Sequence, residues 1–168
     1  MSDFTPTPGM YGCISTSGLV GFFIQLGTFS KENHSFIYLG KDADGVDIII
    51  EATPRKGVVI SRLDKYDLTS IVWNRHEAVT PAQLALIIKV ALTHLNDPYF
   101  FRSFIVIGLR ILGLKRLTWI AGNLEKAKGV ICSELVAICY RAAGIEIEKD
   151  KPVYFVTPSD LSFRLLFI

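Results

Sequence analysis

A chain of 168 residues, 50% of them hydrophobic, is long enough for one compact core and too short for two, so a single domain over residues 1–168 is expected. Eleven phenylalanines and the scarcity of low-complexity stretches exclude a disordered chain. A net charge of +2 with no basic stripe argues against nucleic acid as a partner.

Tyr11 to Ser15 reads as a short strand after a loop rich in proline and glycine, and the apolar run Gly18 to Phe29 reads as a buried helix. His34 to Leu39 and Val46 to Ala52 are β-rich runs joined by the turn Gly40 to Gly45, a hairpin signal. Short strands are expected at Gly57 to Ile60 and Ile71 to Trp73. Thr80-Pro81 has helix-start chemistry, and Leu84, Ile87, Ile88, Ala91, Leu92 and Leu95 then share one helical face until Asn96-Asp97-Pro98. Phe100 to Ile120 suggests one or two packed helices. Leu135, Ile138, Cys139 and Ala142 mark another helical face, with Gly144 at the expected left-handed C-cap and Cys132 in or just before the first turn. The tail reads as a strand, Pro152 to Phe155, followed by a helix start at Thr157 to Asp160.

Three cysteines, Cys13, Cys132 and Cys139, form no C-x-x-C pair and no even framework, so neither a disulfide scaffold nor a cysteine zinc site is expected. With no basic segment ahead of an apolar run near Met1, a cytoplasmic setting is the expectation. Gly18 to Phe29 is too short to span a membrane, and Phe104 to Ile120 carries Arg110, Lys115 and Arg116, so no transmembrane helix is expected.

Chemistry concentrates at Cys132. A helix N-terminus favours thiolate, the nucleophilic form, because its unpaired N–H groups place partial positive charge beside the sulfur. If Gly40 pairs with Gly45, Tyr38 faces Asp47, Phe36 faces Ile49, and His34 faces Glu51, so that imidazole and carboxylate share one sheet face. A carboxylate bound to one ring nitrogen leaves the other for a nucleophile, the base-and-orienter arrangement of cysteine and serine triads. His76 and His94 have no second ligand at metal spacing and read as solvated surface. Cys139 reads as core, and Glu134 as an acid complementing the helix dipole.

These segments resemble a family, the circularly permuted NlpC-type papain-like cysteine hydrolases of the YiiX and YaeF group, with lecithin retinol acyltransferase as a more distant relative. Asn33-His34-Ser-Phe-Ile-Tyr-Leu-Gly40 is similar to the group's histidine strand, Ile49-Ile-Glu51-Ala52 to its acidic strand, and Gly57-Val58 to the short run after it. Ile131-Cys132-Ser133-Glu134-Leu135-Val136, with Tyr140 and Gly144, is similar to its nucleophile helix, and Thr157-Pro158-Ser159-Asp160-Leu161 to its closing motif. The resemblance implies an α+β, papain-like fold with a small antiparallel sheet packed against helices. It implies Cys132 as nucleophile, His34 as base and Glu51 as third polar residue, acting on amide, ester or thioester acyl groups. Three positions depart from the group. Phe36 stands where it usually has glycine, Gly12-Cys13 where it has Gly-Asp, and Asn96 to Tyr99 matches its later Tyr-Asp segment only loosely. Phe36 and Ser133 are accordingly the candidate substrate-binding residues, Phe36 narrowing the site.

The expected function is that of a cysteine amidase or peptidase that needs neither metal nor organic cofactor, with an acyl or peptide-type substrate such as a cell-wall peptide or a lipid. Two alternatives stand beside it. One is lipid acyl transfer or thioester hydrolysis at a membrane surface, motivated by the basic, apolar stretch Phe101 to Trp119. The other is an inactive binding module of the same fold, with Phe36 filling the pocket.

Overall fold

The computed structural model describes residues 4–17, 31–74, 79–99, 129–147 and 151–163. Within them the chain forms β1 (Tyr11–Ile14), β2 (His34–Lys41), β3 (Asp47–Thr53), β4 (Gly57–Arg62) and β5 (Val72–Trp73), then helices α1 (Pro81–Thr93), α2 (Cys132–Ala142) and α3 (Pro158–Phe163). The five strands make one antiparallel sheet in the order β4-β3-β2-β1-β5. This is an α+β architecture, a small antiparallel sheet with helices. The expected helix at Gly18 to Phe29 and the helices within Phe100 to Ile120 lie outside the described residues. No helix among the described residues is long and apolar enough to cross a membrane.

The sheet is covered on both faces. Along β1 the side chains alternate, Tyr11 and Cys13 joining Ile37, Ile50, Ala52 and Val58 beneath α1 and α2, while Ile14 joins Phe36, Tyr38, Ile49, Leu63 and Ile71 on the opposite side. Two buried faces explain why His34–Tyr38 is buried without interruption and why Ile48, Ile49 and Ile50 run consecutively.

The hairpin does not follow the simple register. Asp42 Oδ1 accepts from the N–H groups of Asp44 and Val46 at 3.0 and 2.9 Å, closing a loop over residues 42–46. Lys41 then faces Asp47 and Gly40 faces Ile48, and a bulge between Tyr38 and Gly40 sets Tyr38 against Ile49 and Ile37 against Ile50. Gly40 has φ +103°, a conformation that suits glycine at a bulge. Carried onward, this register sets Phe36, not His34, opposite Glu51. The odd loop and the single-residue bulge cancel in parity, so His34 and Glu51 keep a common face as diagonal neighbours.

Helix α1 starts as expected, in a capping box: Thr80 Oγ1 accepts from Gln83 N–H and Gln83 Oε1 from Thr80 N–H. Its buried stripe is narrower than the apolar pattern. Ile87 and Ala91 are buried with Leu84 packed on the same core, whereas Leu92 and Leu95 face outward, at 42% and 37% exposure. The reason is that Leu92 lies off the line along which α1 packs against α2 and the sheet, while Leu95 lies past the end of the helix. The tail also differs. Val153–Phe155 is a 3-10 turn, not a strand, and hands on directly to α3, where Thr157 and Asp160 exchange hydrogen bonds across the first turn.

Candidate active site

The chain after α1 delivers the start of α2 to the sheet. Asn96 N–H donates to Val58 O and Val58 N–H to Asp97 O, each at 2.9 Å, pinning this segment along the start of β4. Gly57 is required there, because a Cβ would lie 2.2 Å from Asp97 O and φ is +72°. Val130 N–H then donates to Pro98 O at 3.1 Å, and Tyr99 and Val130 form a parallel bridge. Two residues later Cys132 opens α2. Ile131 N–H donates to the Glu134 carboxylate at 3.4 Å, so Glu134 caps the helix start as its position suggested. At the far end Gly144, with φ +76°, supplies the left-handed C-cap.

The first turn of α2 meets the first residue of β2. His34 Nε2 lies 2.8 Å from Glu51 Oε2, and the ring also hydrogen-bonds Cys132, which leaves Nδ1 for the sulfur. Residues 34, 51 and 132 thus form one hydrogen-bonded chain. Burial by itself would raise the thiol pKa of Cys132. The hydrogen bond and charge of His34, with N–H groups of Ser35 and Ser133 on the sulfur, bring it below the usual value. Burial would likewise lower the imidazole, and the hydrogen bonds and charges of Cys132 and Glu51 lift it to about 9. Glu51 is fully buried. Burial should raise its pKa, but His34, Lys65 and Ser61 hold it down at about 2. The arrangement therefore favours thiolate, imidazolium and carboxylate together.

Sequence reasoning missed the groups around Glu51. Tyr66 Oη donates to Glu51 Oε2 at 2.7 Å, and Lys65 Nζ pairs with Oε1. Lys65 ends the 3-10 turn Leu63–Lys65 that follows β4, and Tyr66 is the residue after it. No spacing rule joins a carboxylate on one strand to a turn fourteen residues later, so only the fold reveals this contact.

Phe36 needs a correction. It was expected to line the site, yet it is fully buried, stacked on Tyr66 (centroids 5.7 Å, 12°) and edge-on to Trp73 (5.5 Å, 83°). The ring fits because the residue across from it is Gly12, where a Cβ would lie 2.7 Å from Phe36 Cζ. Burying Phe36 does not carry His34 and Glu51 away from Cys132, since His34 stands at the strand's end and reaches the helix start. Ser133 is also fully buried, and its Oγ donates to Val156 O at 2.6 Å. Its side chain fastens the tail to α2, and its backbone N–H faces the sulfur.

Cys139 is in the core as expected, its thiol pushed up to about 12 by burial. Cys13 is buried and raised as well, by burial first and then by the charge of Cys132. His94 is not free surface, because Nδ1 lies 2.8 Å from Asp97 Oδ2. His76 lies outside the described residues.

No family model and no curated protein matches the chain. Among solved structures it is similar to the crystal structure of metalloprotein YiiX from Escherichia coli O157:H7, with TM-score 0.62 at 20% identity over 87% of this chain and 71% of that one. At this identity the likeness is one of fold. Among the described residues no group of three His, Cys, Asp or Glu side chains stands ready to hold a metal ion. Glu51 gives its oxygens to an imidazole, a phenol and an ammonium, a donor set that suits a hydrogen-bonded triad and not a bound cation.

Proposed function

We propose that this protein is a cysteine hydrolase of the permuted papain-like, NlpC type, cleaving an amide-type acyl bond through a thioester acyl-enzyme. The observation that carries the reading is the hydrogen-bonded chain Cys132–His34–Glu51, assembled from a helix N-terminus and two strands, with the buried thiol shifted toward thiolate. A buried cysteine without such partners is shifted the other way, as Cys139 is.

The Cys132 thiolate attacks the acyl carbonyl carbon while His34 holds the former thiol proton at Nδ1. His34 gives that proton to the leaving amine as the carbon–nitrogen bond breaks, and the acyl group stays on sulfur as a thioester. Water, deprotonated by the now neutral His34, attacks the thioester and releases a carboxylic acid, and the thiolate–imidazolium pair re-forms. Glu51 holds the ring's orientation and its tautomer and keeps its own proton off throughout. The N–H groups in the first turn of α2 are the preorganised donors nearest the developing oxyanion. Peptide-type acyl groups are the proposed substrate class.

The test is trapping. The native protein is treated with a peptidyl electrophile that alkylates activated thiols, and the modified residue is identified by peptide mapping. An adduct on Cys132 that disappears in His34→Ala is the expected result. Modification confined to Cys13 or Cys139, or equal labelling of Cys132 in wild type and His34→Ala, would overturn the reading.

A further inference from the structure

Resting on that reading, we propose that Lys65 and Tyr66 are positioning residues of the reaction, a two-residue clamp that holds Glu51 anionic and fixes the oxygen it offers to His34. Both oxygens of the carboxylate are used. Oε2 accepts from His34 Nε2 at 2.8 Å and from Tyr66 Oη at 2.7 Å, and Oε1 is paired with Lys65 Nζ. A fully buried carboxylate without a cation would take up a proton, and a protonated acid is a poorer acceptor for the imidazolium. The protonated His34 is the first cation on it, and Lys65 supplies the second. Its side chain keeps 37% exposure, so the ammonium reaches the buried anion from a partly solvated position.

Tyr66 sets direction. Its ring stacks on Phe36, which packs edge-on against Trp73, and Lys65 Nζ lies 4.8 Å from the Tyr66 centroid. The Tyr66 ring centroid is also 5.9 Å from that of His34. The phenol therefore cannot swing away without dismantling the outer core, and Phe36 acts on the site through Tyr66. On the thiol side, Cys132 faces His34 from α2, and burial, with the negative charge of Cys132 added, pushes the pKa of Cys13 in β1, Tyr66 and Tyr99 upward. On the acid side, Glu51 faces His34, Lys65, Tyr66 and Ser61. Lys65 is the one cation among these groups besides the protonated His34.

The sign of the effect follows. Removing Lys65 makes the local potential more negative, which raises the pKa of both His34 and Cys132, so both limbs of the thiol's reactivity profile move to higher pH. Replacing Tyr66 by Phe keeps the ring stack, removes a donor from Glu51, and moves the limbs the same way by less.

The experiment is the second-order rate constant of Cys132 alkylation by iodoacetamide from pH 4 to 11, in wild type, Lys65→Met, Lys65→Arg and Tyr66→Phe, with thermal melting of each. The clamp predicts an upward shift of roughly one pH unit in Lys65→Met, a smaller one in Tyr66→Phe, and near-wild-type limbs in Lys65→Arg. A lower melting temperature with unmoved limbs means that the pair is structural only and overturns the proposal. If Lys65→Met does not fold, Tyr66→Phe decides by the same criterion. An ordinary thiol titration of Cys132 in wild type would instead defeat the hydrolase reading itself.

Discussion

The first and third turns of α2 carry the same residue type in opposite states. Cys132 and Cys139 are seven residues apart, which brings them to one side of the helix about two turns from each other, and both are buried. At Cys139 burial acts unopposed and the thiol is driven up to about 12. At Cys132 the same penalty is overcome by an imidazole and two backbone N–H groups, and the shift reverses. Burial therefore does not decide whether a cysteine is inert. What decides is whether cationic and N–H partners are delivered to the sulfur, and at Cys132 they come from β2 and from the helix's own first turn.

Replacing the sulfur of Cys132 has the largest expected effect. Cys132→Ser should abolish turnover of any accepted substrate with little change in melting temperature. Cys139→Ala should leave the rate per folded molecule intact and cost about 1 kcal/mol in a urea titration, as expected for deleting a small buried group.

Next in size, His34→Ala should make Cys132 resemble Cys139. The thiol loses its cation and its hydrogen bond, so its titration should move above the usual cysteine range, with turnover falling about 10²–10⁴-fold. Circular dichroism on the same samples checks that the fold survives. Glu51→Gln should lower the rate less than His34→Ala does, because the amide can still accept from the ring but does not stabilise the imidazolium. Equal losses in the two variants would place proton transfer and ring orientation on the same footing and contradict the assigned roles.

The remaining change is to stability against pH. The Glu51 carboxyl falls from its ordinary 4.5 to about 2 in the folded chain. Its contribution is therefore fully present above pH 4.5 and is lost as pH drops through 2, and on this account amounts to roughly 3 kcal/mol. Urea midpoints of wild type and Glu51→Gln should converge as the pH is lowered across that interval. Parallel curves would show that Glu51 is not held in its charged form.

Much of this was legible in the sequence. The Thr80-Pro81 start, the Gly144 cap and the position of Cys132 at a helix N-terminus follow from local chemistry, and the structure has all three. The shared face of His34 and Glu51 was also legible, although through a register two residues off: the pattern fixes which residues share a face, whereas the Asx-closed loop and the bulge at Gly40 fix which residues stand opposite. Phe36 was misplaced because a strand covered on both faces has no solvent side for an alternating pattern to reveal. The opposing Gly12 is the only trace of its room in the sequence. Lys65 and Tyr66 left no trace, since their meeting with Glu51 depends on how the turn after β4 folds back over the sheet.

Competitive alkylation of the native wild-type protein shows whether Cys132 alone of the three thiols is held toward thiolate. Limiting iodoacetamide is applied across pH 4 to 11 and each cysteine is quantified by peptide mapping. Cys132 should carry nearly all of the label at neutral pH, with a midpoint below the ordinary thiol range and a second inflection near 9 from His34, while Cys13 and Cys139 label only after unfolding. Faster labelling of Cys13 or Cys139, or a single ordinary thiol titration at Cys132, would contradict it.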